Sequence, residues 1–468
     1  MGTHTVEKIG GTSMSRFGEV MENVILGGRS GSAVYDRILV VSAYGGVTNA
    51  LLENKKNGAP GVFAHFAAGG PAWVERLADV RAMMKEFNRQ FEPLGLDQAR
   101  ADAFVDDRLD GIRSCLEDLM RVRSYGHMLP RDYLPAAREL LSAVGEAHSA
   151  HNSVLILQRR GIHARLLDLS GWKESELLPL DEAIGRAFRD VDVARELPIV
   201  TGYVKCDVGI MTHFDRGYSE YTFSKVCALT GAREGIIHKE YHLCTGDPVL
   251  IGADKVQVIG NTNYDIADQM SDMNMEAIHA RASREMKLRR IPLRVKNAFE
   301  PGHPGTLISE GYVSPVPKVE MICSREDVHA VEVFDPEMVG KAGYDHRLLD
   351  AFADAGVSYL AKNTNANTIT HYVAERAPRL DEMRARLSDA FPEAKVRVFP
   401  VAIISILGTN LPARGLLANT FRALDEAEID VLGVNQATRR VSVQVMVERA
   451  QSDAAQRVLH AALVELPH

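Results

Sequence analysis

The chain predicts an α/β protein in which a doubly wound, mainly parallel sheet is followed by two small α+β modules, and three observations carry that prediction. Short apolar runs of strand length alternate with segments of helical spacing up to about residue 310. The first two runs end in glycine-rich loops, as buried parallel strands do when a ligand gathers at their carboxyl ends. The last third repeats itself at a fixed offset of 72 residues.

The first strand covers residues 6–9 and runs into Gly10-Gly11-Thr12-Ser13. Glycines let backbone N–H groups approach an anion, Lys8 adds a point charge, and Thr12 and Ser13 offer hydroxyls or a helix cap. The lysine precedes the glycines, so this is not the GxxxxGK[ST] phosphate loop. Residues 14–26 have helical spacing, with Phe17, Val20, Met21, Val24 and Ile25 on one side. A second buried strand at 37–42 ends in Ser42, Gly45, Gly46 and Thr48.

Residues 64–128 turn charged and helical, a covering excursion whose charged face reads as solvated. A long helix is predicted from Pro135 to Arg160, closed by Gly161. It contains Gly145-Glu146. A helical glycine costs about 1 kcal/mol against alanine, so a close approach or special geometry is the expected reason for Gly145. Further strands read at 165–167, 198–201, 235–237 and 292–295. Within this alternation Asp215-Arg216-Gly217-Tyr218-Ser219-Glu220 forms a strand-to-helix junction, where Arg216 supplies the planar fork suited to a carboxylate or phosphate.

Pro301-Gly302-His303-Pro304-Gly305 marks a boundary. Beyond it Gly343 pairs with Gly415, Phe352 with Leu424, Ala355 with Ala427, Val357 with Ile429, Tyr359 with Val431 and Ile369 with Val441, all at one offset. Each copy reads strand, glycine loop, amphipathic helix, strand, turn, strand.

Composition narrows the function. At 468 residues two or three domains are expected. A net charge of -8 and a pI near 6.1 argue against a general nucleic-acid or anionic-membrane binder, so phosphate chemistry must use a few focused cations. Five scattered cysteines without a CxxC pair, no apolar run of membrane length and no leader pattern read as a cytoplasmic protein. His238, His242 and Cys244 are close in sequence but lack a fourth ligand, and no metal site is expected.

In order and over essentially the whole length, these segments resemble the aspartate kinases of the amino-acid kinase superfamily. The family's K-F-G-G-T-S stands at residues 8–13, its V-V-S-A at 40–43, its G-G-V-T at 45–48 and its G-E at 145–146. Its V-T-G-F stands at 200–203, its R-G-G-S-D at 216–220, its V-K-N at 295–297 and its P-G-T at 304–306. The repeat falls where that family carries two ACT modules, small amino-acid-sensing units.

The resemblance implies a catalytic domain at 1–310 and ACT modules at 318–390 and 396–468, interleaving near 311–318. It implies ATP-dependent phosphorylation of the β-carboxylate of L-aspartate to 4-phospho-L-aspartate, the first step toward lysine, threonine and methionine, with ectoine as a further branch. Lys8 would neutralise the transferring phosphoryl, aided by Gly10, Gly11 and Mg²⁺ carried on the ATP phosphates. Arg216 would clamp the α-carboxylate, and Glu146 and Glu220 would hold the α-ammonium or orient Lys8. Ser42, Thr48 and Ser219 would bind substrate, and Ser13, Lys239, Asp247 and Lys296 would serve the nucleotide. A carboxylate is already nucleophilic at neutral pH, so no general base is needed. The family also implies a homodimer or higher oligomer through the modules. A lysine or threonine effector would sit near Met338, Gly343, Asn363, Asn365, Thr368 and Gln436.

The nucleotide half departs from the pattern. Where the family has W-T-D-V-D-G ahead of T-A-D-P, this chain has residues 238–244 ahead of Thr245-Gly246-Asp247-Pro248, a run one residue shorter than the family's up to that point, and Glu276 stands where a lysine is usual. Tyr218 replaces the second glycine of R-G-G-S-D and Glu220 its aspartate. These changes point to a divergent branch, with the aspartate kinases that accompany ectoine biosynthesis as the candidate. They also motivate one alternative, an amino-acid sensor of the same fold with lost or altered catalysis.

Overall fold

The computed structural model describes residues 2–55, 57–126, 128–214, 217–273, 275, 278–374 and 377–465. The chain divides into two compact units, residues 1–242 with 278–310, and residues 243–277 with 311–468. The segment 243–277, placed in the first domain by sequence, thus groups with the C-terminal part.

Strands of the first unit are β1 (Thr5–Ile9), β2 (Arg37–Val41), β3 (Ala164–Leu167), β4 (Leu197–Thr201) and β5 (Glu234–Lys239). After β6 (Asn261–Asn263), which belongs to the second unit, come β7 (Leu293–Asn297) and β8 (Thr306–Ser309). The order across the first unit is β3-β4-β2-β1-β5-β7-β8. Every pair is parallel except β7 with β8. From β1 the chain winds to one side through β2, and from β5 it winds to the other through β7. The crevice outside the carboxyl ends of β1 and β5 is therefore the topological switch point, where open α/β sheets bind ligands.

Both faces are covered. Residues Phe17, Val20, Met21, Val24 and Ile25 are buried as their spacing predicts, but the segment is broken into short turns ending in a π-helix at Met21–Leu26. Its terminal carbonyls of Val24 and Ile25 are taken by the Arg37 guanidinium, which also grips Glu7. On the other face Gly235 admits Phe223, Cys227 and Met286 from the helices Tyr218–Thr230 and Ala280–Leu288. The charged excursion forms helices Ala72–Phe91 and Gln98–Ser124, which bury Trp73, Leu77, Val80, Val105, Leu109 and Ile112 and leave ion pairs such as Arg76–Asp79 in solvent. The long helix begins earlier than predicted, at Pro130, and runs to Arg159 with Pro135 inside it. Proline at its first position needs no N–H, so the start signal lay at Pro130 instead of Pro135.

The second unit adds β9 (Met321–Phe334), β10 (Tyr359–Thr364), β11 (Thr368–Val373), β12 (Lys395–Leu407), β13 (Gly433–Gln436) and β14 (Ser442–Glu448). They form an antiparallel sheet in the order β10-β11-β9-β12-β14-β13. The repeat is structural. Gly343 and Gly415 both precede a helix with left-handed φ of 77° and 79°, and Phe352 and Leu424 are both core residues.

Interleaving goes further than the sequence suggests. One core gathers Val331, Val333, Leu348, Phe352 and Leu387 with Val396 and Val398 against it. The other gathers Val319 and Ile322 with Ile404, Leu424, Val445 and Leu459. Each of the long strands β9 and β12 therefore serves both modules. Among the described residues no helix is long and apolar enough to cross a membrane.

Candidate active site

Lys8 lies near the end of β1, its ammonium 3.7 Å from Glu220 Oε1. The glycine loop follows at once, and Gly11 packs so tightly that a Cβ there would stand 2.6 Å from the carbonyl oxygen of Ala43. That contact ties the loop after β1 to the loop after β2. Ser15 adds a second tie, its Oγ accepting from the Gly45 N–H at 2.7 Å. Ser42 is positioned from behind, since its carbonyl accepts the Ser149 hydroxyl at 2.8 Å, and Thr48 lies in the helix Val47–Leu51 entered through left-handed Gly46.

Gly145 has the reason its context demanded. A Cβ there would meet Ala43 Cβ at 2.7 Å and Val47 Cγ1 at 3.1 Å, so the helix can touch the β2 loop only without a side chain. Replacing Gly145 with Ala gains helix propensity but overpacks this contact, a cost of about 1–3 kcal/mol. A lowered melting temperature checks this prediction, and a raised one removes the close-approach argument.

That approach delivers Glu146, which is 1% exposed. Its Oε1 accepts the Ser219 hydroxyl at 2.5 Å, while Oε2 is buried and takes no hydrogen bond among the described residues. Burial pushes its carboxyl up to about 8, against the opposing pull of Ser219, Lys8, the Tyr203 N–H and Tyr218. Glu220 behaves differently. Burial raises it, but Lys8, Lys239 and the N–H of His279, 2.6 Å from Oε2, together bring it below its ordinary value. Two carboxyls in one site are thus driven apart, one toward the acid and one toward the anion.

Ser13 and the nucleotide candidates separate. The Ser13 hydroxyl donates to Glu240 Oε1 at 2.7 Å, and that oxygen lies 3.8 Å from where a Gly10 Cβ would be. Sequence reasoning missed Glu240, although its place directly after β5 was the available signal. Lys239 pairs in register with Asn297, and Lys8 with Ile237, which puts Lys239 and Lys8 on one face. Lys296 pairs with His238 and so projects from the opposite face, with Glu7 and Arg37. Its ammonium donates to the Pro301 carbonyl at 3.3 Å, and burial, ahead of neighbouring charges, holds it below its ordinary value.

Asp247 lies in the second unit, where it caps a short helix by accepting the Val249 N–H at 2.8 Å. His238 is engaged by Glu7 at 2.8 Å and His242 by Glu300 at 3.1 Å. Arg216 and Glu276 lie outside the described residues.

The effector candidates fall into three settings. Met338 is buried in the first module's core, and Gly343 is the left-handed residue before its helix. Asn363 reaches from β10 to the Val434 carbonyl of β13 at 2.8 Å, while Asn365 shapes the β10–β11 turn by accepting the N–H groups of Asn367 and Thr368. The Thr368 hydroxyl donates to Asn367. Gln436 lines a separate cavity of about 510 Å³ with Pro412, Gly415 and Leu416.

Geometry of this kind, a lysine and a glycine loop at a switch point faced by buried carboxyls, has clear relatives. Residues 4–297 match the amino acid kinase family. The chain is 46% identical to "Aspartate kinase Ask_Ect" of Stutzerimonas stutzeri (strain A1501), covering 99% of this chain and 98% of that one. It belongs to the aspartate kinases of the amino acid kinase family.

The kinase is also 23% identical to chloroplastic aspartokinase 2 of Arabidopsis thaliana, over 92% of its own length and 78% of the relative's. Its fold matches that of E. coli aspartokinase III, crystallised with aspartate and ADP in the R-state. There the TM-score is 0.73 at 18% identity, with 99% of this chain and 100% of that one covered. As an aspartate kinase it phosphorylates aspartate using ATP.

Proposed function

We propose that the crevice at the ends of β1, β2, β4 and β5 is where the γ-phosphoryl of Mg-ATP passes to the β-carboxylate of L-aspartate. The observation that carries this reading is Glu146. Its Oε2 is buried and takes no hydrogen bond among the described residues, and burial favours the neutral acid, so a cationic ligand beside it would favour the carboxylate, and the α-ammonium of aspartate is such a cation.

Arg216, between Thr212 and Ser219 in the chain, takes the α-carboxylate, and Ser42 and Thr48 complete the substrate's hydrogen bonds. One β-carboxylate oxygen attacks the γ-phosphorus, an O–P bond forms, and the bond to the leaving ADP oxygen breaks. The attacking group is already anionic, so the protein supplies position and charge. Lys8 neutralises the phosphoryl oxygens, with the N–H groups of Gly10 and Gly11 around them. Lys239, on the same face, supplies a second cation toward the nucleotide. Mg²⁺ enters on the ATP phosphates and spreads their charge when bound.

A role in the ectoine branch of the aspartate pathway is proposed here, supported by the departures at residues 238–244, 218 and 220 and by the likeness to the relative named Ask_Ect. Lysine or threonine is proposed as effector, bound by the modules of a homo-oligomer, and the protein is placed in the cytoplasm.

The test is aspartyl hydroxamate formation from Mg-ATP, L-aspartate and hydroxylamine. Turnover is expected with aspartate, and folded protein that forms no hydroxamate at millimolar substrate overturns the assignment. Adding lysine or threonine to the same assay reports the effector, read as a fall in rate.

A further inference from the structure

Glu139 sits seven residues before Glu146, two turns along the same helix and on the same side of it. Its carboxylate is fully engaged by one stretch of chain. Oε2 accepts the Tyr203 phenol at 2.8 Å, and Oε1 accepts the N–H groups of Met211 at 2.8 Å and Thr212 at 3.2 Å. Gly209, at φ 72°, is shaped to it, because a Cβ there would lie 2.7 Å from Oε1.

Two carboxylates on one helix thus hold two points of one segment. Glu139 fixes residues 211 and 212, Glu146 fixes Ser219 at 2.5 Å, and Arg216 lies between them in sequence. Packing shares in this fixing, since Val204, Ile210 and Met211 are buried. A cavity of about 710 Å³, lined by Glu139, Tyr203, Cys206, Thr212 and Trp172, lies along the segment, so on that side the hydrogen bonds to Glu139 are its directional contacts. The phenol that completes the set comes from Tyr203, at the place where the related V-T-G-F motif has phenylalanine.

We propose that Glu139 is a positioning residue for aspartate recognition, preorganising residues 203–214, the stretch that leads to Ser219 and its partner Glu146. This rests on the aspartate-site reading above. Ordering a loop at the moment of binding lowers apparent affinity by the fraction of competent conformers, and hydrogen bonds to a charged group are the strong ones.

Steady-state kinetics on the full chain test it. Glu139→Gln replaces an acceptor oxygen with an N–H₂ group, and the KM for aspartate is expected to rise ~10-fold or more while kcat and the KM for ATP stay within about twofold. Tyr203→Phe removes one donor of three and is expected to give a smaller rise in the same constant. Glu139→Asp keeps the charge and is expected to recover part of the loss.

An unchanged aspartate KM in Glu139→Gln overturns the proposal. So does a parallel shift of kcat and both KM values together with a lowered melting temperature, which is the signature of a merely structural role. If Glu139→Gln does not fold, Tyr203→Phe decides, and an unchanged aspartate KM there is the overturning result. Unmodified protein that makes no hydroxamate removes the aspartate reading instead, so the two failures are distinguishable.

Discussion

Lys8→Ala is expected to lower kcat by roughly 10²–10³-fold or more, the scale for deleting one preorganised group that meets transition-state charge. Folding is expected to survive, because the Lys8 backbone keeps its strand pairing with Val40 and Ile237, and Glu220 keeps Lys239 and the His279 N–H as partners. The variant should therefore melt cooperatively while hydroxamate formation collapses. Lys296→Ala is the matched control. That lysine projects from the opposite face of the sheet, bonded to the Pro301 carbonyl, so its loss should affect turnover far less. Equal losses in the two variants, or an unaltered rate in Lys8→Ala, would take Lys8 out of the mechanism.

Glu146→Gln is expected to separate function from stability. The Glu146 carboxyl is pushed up to about 8 in the fold, chiefly by burial, against an ordinary value of 4.5. A raised carboxyl pKa means the native state binds more protons than the unfolded chain between these values. Stability is therefore retained below about 4.5 and lost as pH rises through about 8, at up to about 1.4 kcal/mol per pH unit. The glutamine variant carries no such titration. Its melting temperature relative to the native protein should rise from pH 5 to about pH 8 and level off above that, and a constant difference would refute the buried-acid description.

The kinetic counterpart has a definite sign too. An ammonium ligand needs the charged form of Glu146, so binding at pH below 8 must expel a proton. kcat/KM for aspartate should climb with pH toward 8 in the native protein, and Glu146→Gln should lose both that limb and most of the activity. A pH profile shared by the two proteins would place the α-ammonium elsewhere.

These two experiments rest on different layers of information. Lys8 was legible in sequence because its chemistry is local, a strand-end lysine against two glycines. Glu146 was legible as a candidate only through the oddity of a glycine before it in a helix. What makes it a buried acid is the approach of the β2 loop, where Ala43 and Val47 close on Gly145, and the Ser219 hydroxyl from a residue 73 positions away. No periodicity encodes such a meeting.

The same distinction explains the nucleotide residues. Lys239 and Lys296 are equal as sequence candidates, each a lysine ending an apolar run. Strand register set them on opposite faces, and register follows from which strands become neighbours. Ser13 reads as a phosphate donor until Glu240 arrives from β5 to accept its hydroxyl. Asp247 reads as part of a nucleotide motif, and the structure shows it capping a helix of the second unit.

By itself, the sequence determined the doubly wound sheet, the order of its loops, the duplicated C-terminal module and the lysine-glycine loop after the first strand. All of these are written in short-range patterns of apolar spacing, glycine placement and repetition. Tertiary structure decided which strands the two modules share, because β9 and β12 continue across the boundary between cores and an offset between copies carries no information about pairing. It also decided the ionisation of the site, since burial and the approach of distant side chains set a carboxyl's charge, and both exist only once the chain has folded.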